Sequence, residues 1–351
     1  MKENQGKFTV SSKGPSKGKY TIGIDLGGTK VAAALVNTQG KIIGESRRQT
    51  VPPWLSSQDP RTLKKKASPT NVKKHIEYVI NAMADAAYEV AEPLLRRGAA
   101  GRKQLIGIGL ASAGPMKIDK GTLDYPSNFK GWKLVPIVSL LQKALKKVGL
   151  DCPLHFQNDA IAAALGEGWI GSAKNCSTYA MITVGTGIGT GVIFNGRPAQ
   201  SGGMGSEWGH MMVRADGIKG SPESYNARSV EGLASGTGLL HRAKERGFRG
   251  EQTRDLVAAA REGDELALDL FTDASEALAA LFYSLSLGFH PEKFIVSGGM
   301  LPARDLFLPQ AIEIYQKMMR LKNPLFLAPV QVAKLGTAAG VIGAARLPML
   351  K

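Results

Sequence analysis

Two apolar runs in this chain each stop at a glycine turn and resume at once as a second apolar run. The first is Ile22-Gly23-Ile24-Asp25-Leu26-Gly27-Gly28-Thr29-Lys30, followed by Val31 to Val36. The second is Ala180 to Val184, then Gly185-Thr186-Gly187-Ile188-Gly189-Thr190-Gly191, then Val192-Ile193-Phe194. Each reads as a β-hairpin whose turn presents backbone N–H groups. Glycines let such a backbone come close to a polyanion. In the first turn Thr29 and Lys30 add donors, and Asp25 at the strand end can hold a hydrated Mg²⁺ beside phosphates. Two such units predict two halves built alike, with a nucleotide held between them. Neither turn is a Walker A loop. Gly14-Pro15-Ser16-Lys17-Gly18-Lys19 has the wrong spacing and precedes a strand instead of following one. No Gly-x-Gly-x-x-Gly opens a helix after a strand, which disfavours a dinucleotide fold.

The 351 residues are 43% hydrophobic, enough for one large or two medium domains with real cores. No apolar run approaches the roughly 20 residues that cross a bilayer, and the lysines at the N-terminus precede no apolar segment of the secretory kind. Two cysteines, Cys152 and Cys176, exclude a disulfide framework and fit a reducing cytoplasm. Both flank apolar strands and are expected as buried filler.

The net charge of +16 invites a nucleic-acid reading, but its distribution argues against one. Residues 1–20 and 61–74 together hold 11 of the 45 basic residues and one of the 29 acidic ones. Most of the excess therefore lies in two peripheral segments. No helix-turn-helix precedes residue 20, and no aromatic-studded basic strand follows. A solvated tail and loop is the expectation, with attraction of a polyanionic substrate as the sharper alternative.

Along the chain, residues 1–19 read as a disordered basic tail. Strands are expected near 21–26, 31–36 and 41–46, then a Pro/Ser/Lys-rich loop over 51–70. A helix from about Asn71 to Arg96 follows, with Val72, Ile76, Val79, Met83, Ala87 and Val90 on one face. Leu105 to Leu110 is a buried strand. This order indicates an α/β domain around a mixed sheet. A second domain is placed from about 145, with a strand at Leu154 to Gln157 and a helix from Asn158. It continues with long helices between about 228 and 290 and strands at Lys293 to Ser297 and Gln331 to Leu335. The last helix, Gly336 to Arg346, is rich in Ala and Gly and can pack closely on other backbone. Asp159 stands at a strand-to-helix junction, where a carboxylate is held by free helix N–H groups. A plain helix cap is one reading of it.

In order, these motifs resemble the ROK family (repressors, open reading frames and kinases), most closely its bacterial glucokinase-like sugar kinases. The likeness runs from about Tyr20 to the C-terminus. It rests on Asp25 to Thr29, Gly109 to Pro115, Asn128-Phe129-Lys130-Gly131-Trp132, Asn158-Asp159-Ala160 with Ala162 to Glu167, and Gly185 to Gly189. It continues through Gly205 to His210, Glu231 ahead of Ala234-Ser235-Gly236, and Ser297-Gly298-Gly299.

The resemblance implies an α/β, two-domain actin-like (ribonuclease-H-like) ATPase fold with a cleft between the domains. It places a small domain at 20–144, completed by the C-terminal helix 336–351, and a large domain at 145–335. It implies an ATP- and Mg²⁺-dependent hexokinase, glucose favoured, with Asp159 as general base. It makes Asn128, Asn158, Asp159, Glu207, His210 and Glu231 the sugar ligands. Gly27, Gly28, Thr29, Lys30, Thr186, Gly187, Gly189, Gly298 and Gly299 become the nucleotide loops, and Asp25 the metal carboxylate.

Mannose, fructose, N-acetylglucosamine or N-acetylmannosamine are other candidate sugars, and polyphosphate another donor. A cytoplasmic homodimer without nucleic-acid or membrane partners is expected. Repressor members carry a DNA-binding segment ahead of the kinase fold, and fewer than 20 residues precede the first strand here. Many members also bind structural zinc through the histidine and three cysteines. Here Pro222, Ser224 and Ser229 stand at the cysteine positions, so no zinc is expected. Without the resemblance, Glu207 reads as surface charge and His210 as a satisfied, partly buried histidine.

Overall fold

The computed structural model describes residues 9–10, 18–56, 68–126, 128–200, 205–214 and 226–350. Most of the basic tail, Lys64, Lys65 and Lys66, and Pro222 and Ser224 lie outside the described residues. Within the tail expected to be disordered, Thr9 and Val10 instead form an edge strand, because these β-branched residues pair with Glu45 and Gly44. The chain divides into two compact units. One comprises Met1–Gly171, Gln200–Gly205 and Ala338–Lys351, and the other Ser172–Ala199 and Ser206–Thr337. The observed division therefore falls at Gly171, beyond the expected 145. The reason is strand pairing, because the strand at 154–158 joins the first unit's sheet.

The first unit is built on a six-stranded sheet. Its strands are β1 (Thr9–Val10), β2 (Tyr20–Leu26), β3 (Lys30–Asn37), β4 (Ile42–Gln49), β5 (Leu105–Ser112) and, after a small three-stranded sheet, β9 (Leu154–Asn158). The small sheet contains β6 (Met116–Lys117), β7 (Thr122–Asp124) and β8 (Leu134–Val135). In the large sheet the order is β1-β4-β3-β2-β5-β9, with β2, β3 and β4 antiparallel and β2, β5 and β9 parallel.

Alternation along β2 decides which helix covers which face. Tyr20, Ile22, Ile24 and Leu26 share a buried cluster with Val79, Met83, Ala87 and Val90 of α1 (Pro69–Leu95). Each such aliphatic side chain contributes about 1.5–3 kcal/mol on burial. Val72 and Ile76 pack at the edge of that cluster and remain half-buried. The alternate residues, Gly23 and Asp25, turn to the C-terminal helix, Ala339–Arg346. A Cβ at Gly23 would lie 1.9 Å from the Val341 carbonyl oxygen, so this helix rests its backbone directly on the strand.

The unit also holds α2 (Ile137–Lys147) and α3 (Asp159–Ile170). A Cβ at Gly343 would meet the Ala162 carbonyl oxygen at 1.6 Å, so α3 and the C-terminal helix also cross backbone to backbone. The close packing expected of the Ala/Gly-rich last helix is observed, although its α-helical part starts at Ala339 and not at Gly336.

The second unit has a five-stranded sheet in the order β12-β11-β10-β13-β14. Its strands are β10 (Tyr179–Val184), β11 (Ile188–Phe194), β12 (Arg197–Pro198), β13 (Lys293–Ser297) and β14 (Val330–Val332). Its helices include α4 (Val230–Ala234), α5 (Gly236–Glu245), α6 (Thr253–Arg261), α7 (Glu265–Phe289) and α8 (Leu308–Lys322). Phe271, Leu278, Phe282 and Leu285 of α7 fill the core under Ile182 and Phe294.

The last strand, expected at 331–335, is shorter and starts one residue earlier. Cys152 and Cys176, expected as buried filler, are both only half-buried, because each sits in a loop leading to a strand and not in the strand itself. Burial, with Asp151 nearby, pushes the Cys152 thiol up to about 11, which keeps it protonated at neutral pH. No helix among the described residues is long and apolar enough to cross a membrane.

Candidate active site

In the first unit the β2–β3 hairpin closes with Leu26 opposite Val31 and the Gly27 N–H donating to the Lys30 carbonyl at 3.0 Å. Thr50, just past β4, braces the turn. Its N–H donates to the Thr29 carbonyl at 3.0 Å and its hydroxyl to the Gly27 carbonyl at 3.3 Å. Among the described residues, the N–H groups of Gly28 and Thr29 have no protein acceptor, and the Lys30 side chain is exposed. A Cβ at Gly28 would lie 3.0 Å from the Asn128 Cβ, so Asn128 stands against the turn. Its exposed amide makes no hydrogen bond among the described residues.

Asp25 is the penultimate residue of β2, with only Leu26 between it and the turn. Burial first, and the charge of Asp159 second, push its carboxyl up to about 6, with Lys30 opposing both. The carboxylate accepts no hydrogen bond among the described residues. It rests on the C-terminal helix, where a Cβ at Gly340 would lie 2.4 Å from Asp25 Oδ2. Asp159 opens α3. Burial raises its pKa, opposed by the Ala160 N–H, which donates to Oδ1 at 2.8 Å.

The cap of this helix is Asn158, whose Oδ1 accepts from the Ala160 and Ile161 N–H groups at 2.9 and 3.2 Å. This corrects the capping reading of Asp159. The neighbouring amide takes the cap position, and Asp159 shares with it only the Ala160 N–H, through Oδ1.

Two like charges brought near each other, one without a hydrogen-bond donor, suit a divalent cation. Carboxylate oxygens are the hard donors Mg²⁺ selects, and one or two of them suffice when phosphates supply the rest. Among the described residues no three His, Cys, Asp or Glu side chains gather as an all-protein metal cage. The Asp25 and Asp159 carboxylates thus offer hard oxygen donors of the kind Mg²⁺ takes.

In the second unit the turn between β10 and β11 is tighter, with the Gly185 N–H donating to the Gly187 carbonyl at 2.9 Å. The start of α5 meets this turn. Gly236 N–H reaches the Gly185 carbonyl at 2.8 Å and Thr237 N–H the Thr186 carbonyl at 3.3 Å. Gly189 N–H donates to Thr183 Oγ1 at 3.1 Å. Among the described residues the N–H groups of Thr186 and Gly187 have no protein acceptor. Gly298, at φ +109°, and Gly299 follow β13 beside the same turn, and Met300 N–H donates to the Val184 carbonyl at 2.9 Å.

Glu231, in the first turn of α4, accepts the Ile188 N–H on Oε2 at 2.9 Å. A Cβ at Gly187 would lie 2.5 Å from that oxygen. His210 Nδ1 stands 3.9 Å from Glu231 Oε1, and the His210 side chain is exposed, against the partly buried histidine read without the resemblance. Glu207 is exposed, and its carbonyl accepts the His210 N–H at 3.1 Å. Ser229, at one of the cysteine positions, caps α4 by accepting the Gly232 N–H at 3.0 Å.

Each unit thus gathers its own share of the expected residues. The first joins Asp25, Gly27 to Lys30 and Asn128 at the C-terminal end of β2, with Asp159 and Asn158 at the start of α3. The second joins Thr186, Gly187, Gly189, Gly299, His210 and Glu231. Sequence reasoning missed Thr50, Thr183 and Gly340. The signal for Gly340 was the period of two along β2, which places Asp25 on the face that the Ala/Gly-rich helix covers.

A family model for the ROK family matches residues 21–349. A glucokinase of Streptomyces coelicolor is 30% identical over 345 residues, covering 93% of this chain and 96% of that protein. The crystal structure of a ROK hexokinase from Thermus thermophilus is 28% identical, with a TM-score of 0.72 over 93% of this chain and 97% of that one. A ROK family glucokinase from Streptomyces griseus, crystallised with glucose and AMPPNP, is 26% identical, with a TM-score of 0.63 over 93% and 98%. The chain belongs to the ROK family and has its α/β, two-domain actin-like fold.

Proposed function

We propose that the protein is a sugar kinase, an ATP-dependent hexokinase with glucose as its favoured acceptor. The observation that carries this reading is the first unit's array. A carboxylate at a helix start lies near a second carboxylate, beside a glycine turn with two N–H groups that have no protein acceptor among the described residues. Phosphoryl transfer needs positioning and charge neutralisation more than covalent catalysis, and this array supplies both.

Asp159 accepts the proton of the sugar 6-hydroxyl. The hydroxyl oxygen forms its bond to the γ-phosphorus as the bond to the β-phosphate oxygen breaks, releasing ADP. Asn128 and Asn158 in the first unit, and Glu207, His210 and Glu231 in the second, are assigned as hydroxyl ligands. Paired hydrogen bonds from carboxylates and amides suit vicinal hydroxyls. Gly28, Thr29, Thr186 and Gly187 direct N–H groups to phosphate oxygens, with Lys30, Gly298 and Gly299 beside them. Asp25 would hold the Mg²⁺ that ATP brings, which neutralises charge on the phosphates.

Burial of Asp159 raises its affinity for a proton, which suits a group that must take one and later release it. The test is a coupled phosphorylation assay over glucose, mannose, fructose, N-acetylglucosamine and N-acetylmannosamine, with ATP and polyphosphate as donors. ATP turnover strongest with glucose is expected. Turnover with none of these sugars would remove the kinase reading, and a preferred acceptor other than glucose would remove only the specificity.

A further inference from the structure

A histidine outside the expected set joins the two parts of the first unit that the functional reading assigns to phosphate and to sugar. His75 lies on α1, half-buried. Its Nε2 is 2.9 Å from the Thr50 carbonyl oxygen. A carbonyl only accepts, so Nε2 carries the proton. On its other side the Trp132 indole N–H donates to Nδ1 at 3.3 Å. Nδ1 must therefore be bare, and the ring is the neutral Nε2–H tautomer with both nitrogens engaged. Burial, which holds this imidazole below its ordinary pKa, acts in the same direction.

Both ends of this relay reach assigned residues. Thr50 is fully buried and ties down Gly27 and Thr29 through its hydroxyl and N–H. Trp132 is buried and stacks on Phe129 with ring centroids 4.4 Å apart, and Phe129 follows Asn128 directly in the chain. The same segment seats on α1 once more, because a Cβ at Gly131, whose φ is +84°, would lie 2.9 Å from Val72 Cγ2. The glycine turn and Asn128 also touch directly at Gly28.

We propose that His75 is a positioning residue that sets the phosphate turn, through Thr50, and the Asn128 segment, through Trp132, in one fixed register. The inference rests on the functional reading above for what the two ends bind. It holds for the geometry of the turn and the segment whatever they bind. A single imidazole with one donating and one accepting nitrogen is suited to this task. Leucine has neither group, and a protonated histidine would turn a second N–H against the indole N–H.

The two nitrogens can be tested separately in the full-length protein. His75→Gln places an amide N–H where Nε2 was, keeping the Thr50 bond and losing that to Trp132. His75→Asn places a carbonyl oxygen where Nδ1 was, keeping the Trp132 bond and losing that to Thr50. Trp132→Phe removes the indole donor and keeps the stack. A lost neutral hydrogen bond corresponds to about a fivefold change.

The expected split is a roughly fivefold rise in sugar KM for His75→Gln and Trp132→Phe, and a roughly fivefold rise in ATP KM for His75→Asn. The other KM should stay within about twofold in each case. His75→Leu should raise both, and hydrogen exchange at Gly27 to Lys30 and at Phe129 to Trp132 should speed up together. Wild-type exchange at both segments in His75→Leu would overturn the proposal. So would equal KM changes in all variants accompanied by a common loss of thermal stability. If the wild type phosphorylates none of the sugars, the kinase reading fails by itself, and the exchange measurement still decides the relay.

Discussion

The two glycine hairpins look alike in sequence and are held in different ways. Among the described residues, each leaves two adjacent N–H groups without protein acceptors, Gly28 and Thr29 in one and Thr186 and Gly187 in the other. The first turn is tied locally, by Lys30 of its own hairpin and by the N–H and hydroxyl of Thr50 just past β4, and the carboxylate beside it belongs to its own strand. The second is tied by elements far along the chain, the start of α5 and the carboxylate of Glu231, 43 residues beyond Ile188. The acid next to the first turn has no donor among the described residues and a pKa raised first by burial, whereas the acid next to the second is engaged by a backbone N–H. A carboxylate short of donors suits cation binding and proton transfer, and one already fixed in orientation suits recognition.

That division of labour fails most visibly if the largest effect falls in the wrong unit. Asp159→Asn should lower kcat by roughly 10²–10⁴, the usual value of a positioned proton acceptor, with thermal stability and sugar binding near wild type. Glu231→Gln should raise the sugar KM and cost kcat less than tenfold. Saturating kinetics for both variants decide the matter, and equal kcat losses would break the comparison.

A single methyl group placed under each acid sharpens it further. Gly340→Ala puts a Cβ 2.4 Å from the Asp25 carboxylate, and Gly187→Ala puts one 2.5 Å from that of Glu231. Both clashes are with the ends of side chains that can rotate away, so folding should survive. Gly340→Ala should raise the Mg²⁺ concentration for half-maximal rate about tenfold, an effect of about 1.4 kcal/mol on cation binding. Gly187→Ala should shift the sugar KM instead. Gly23→Ala is the contrast, since its Cβ meets a backbone carbonyl at 1.9 Å and should cost soluble protein. Metal titrations showing no difference between Gly340→Ala and wild type would remove Gly340 from the site.

Much of the first hairpin was legible in the chain, because everything that forms it lies within a few residues. Alternation of apolar residues, the acid at the strand end and the glycine turn are all local signals. The second hairpin was legible as a turn and not as a site, because Thr183 braces it locally but its other supports, Glu231 and Gly236, come from separations that no local pattern encodes. The helix cap shows the same limit. Asn158 and Asp159 are both good cap residues, and only the observed backbone decides that Asn158 takes the task. The division between units was not legible because β9 pairs with β5 across 41 intervening residues, a long-range choice invisible in composition. His75 escaped notice because a lone histidine on an amphipathic helix carries no motif.

The raised pKa of Asp25 gives the comparison a pH axis. In the folded protein its carboxyl titrates at about 6, against 3.8 for a free side chain, so the folded state binds this proton more tightly. The charged form is the strained one. This group therefore lowers stability above about pH 6, and that penalty fades as pH falls toward 4. Asp25→Asn should accordingly raise Tm at pH 7, with the gain shrinking toward zero by pH 4, even as activity is lost. In the wild type the acid limb of kcat/KM should lie near pH 6 and move lower as Mg²⁺ is raised, because cation and proton compete for one carboxylate. An acid limb near pH 4 that ignores magnesium would separate Asp25 from the metal.

The smallest effect concerns how α4, which carries Glu231, is held without thiolates. Ser229 meets the helix end with its hydroxyl, accepting from Gly232 N–H and donating to the Asn226 carbonyl at 2.7 Å. Losing such a cap costs about 1 kcal/mol. Ser229→Ala should therefore lower Tm by roughly 2–4 °C, the shift that 1 kcal/mol produces in a domain of 150–250 residues. It should also raise the sugar KM by a few fold at most, because Glu231 remains tied to Ile188. Chelator treatment should leave Tm unchanged and, once Mg²⁺ is restored, the sugar KM of the wild type unchanged as well, and elemental analysis should find no stoichiometric zinc. One zinc per chain, with a Tm that falls on chelation, would show that this loop is organised by metal after all. It would also mean that the second hairpin depends on a support lying beyond the serine cap.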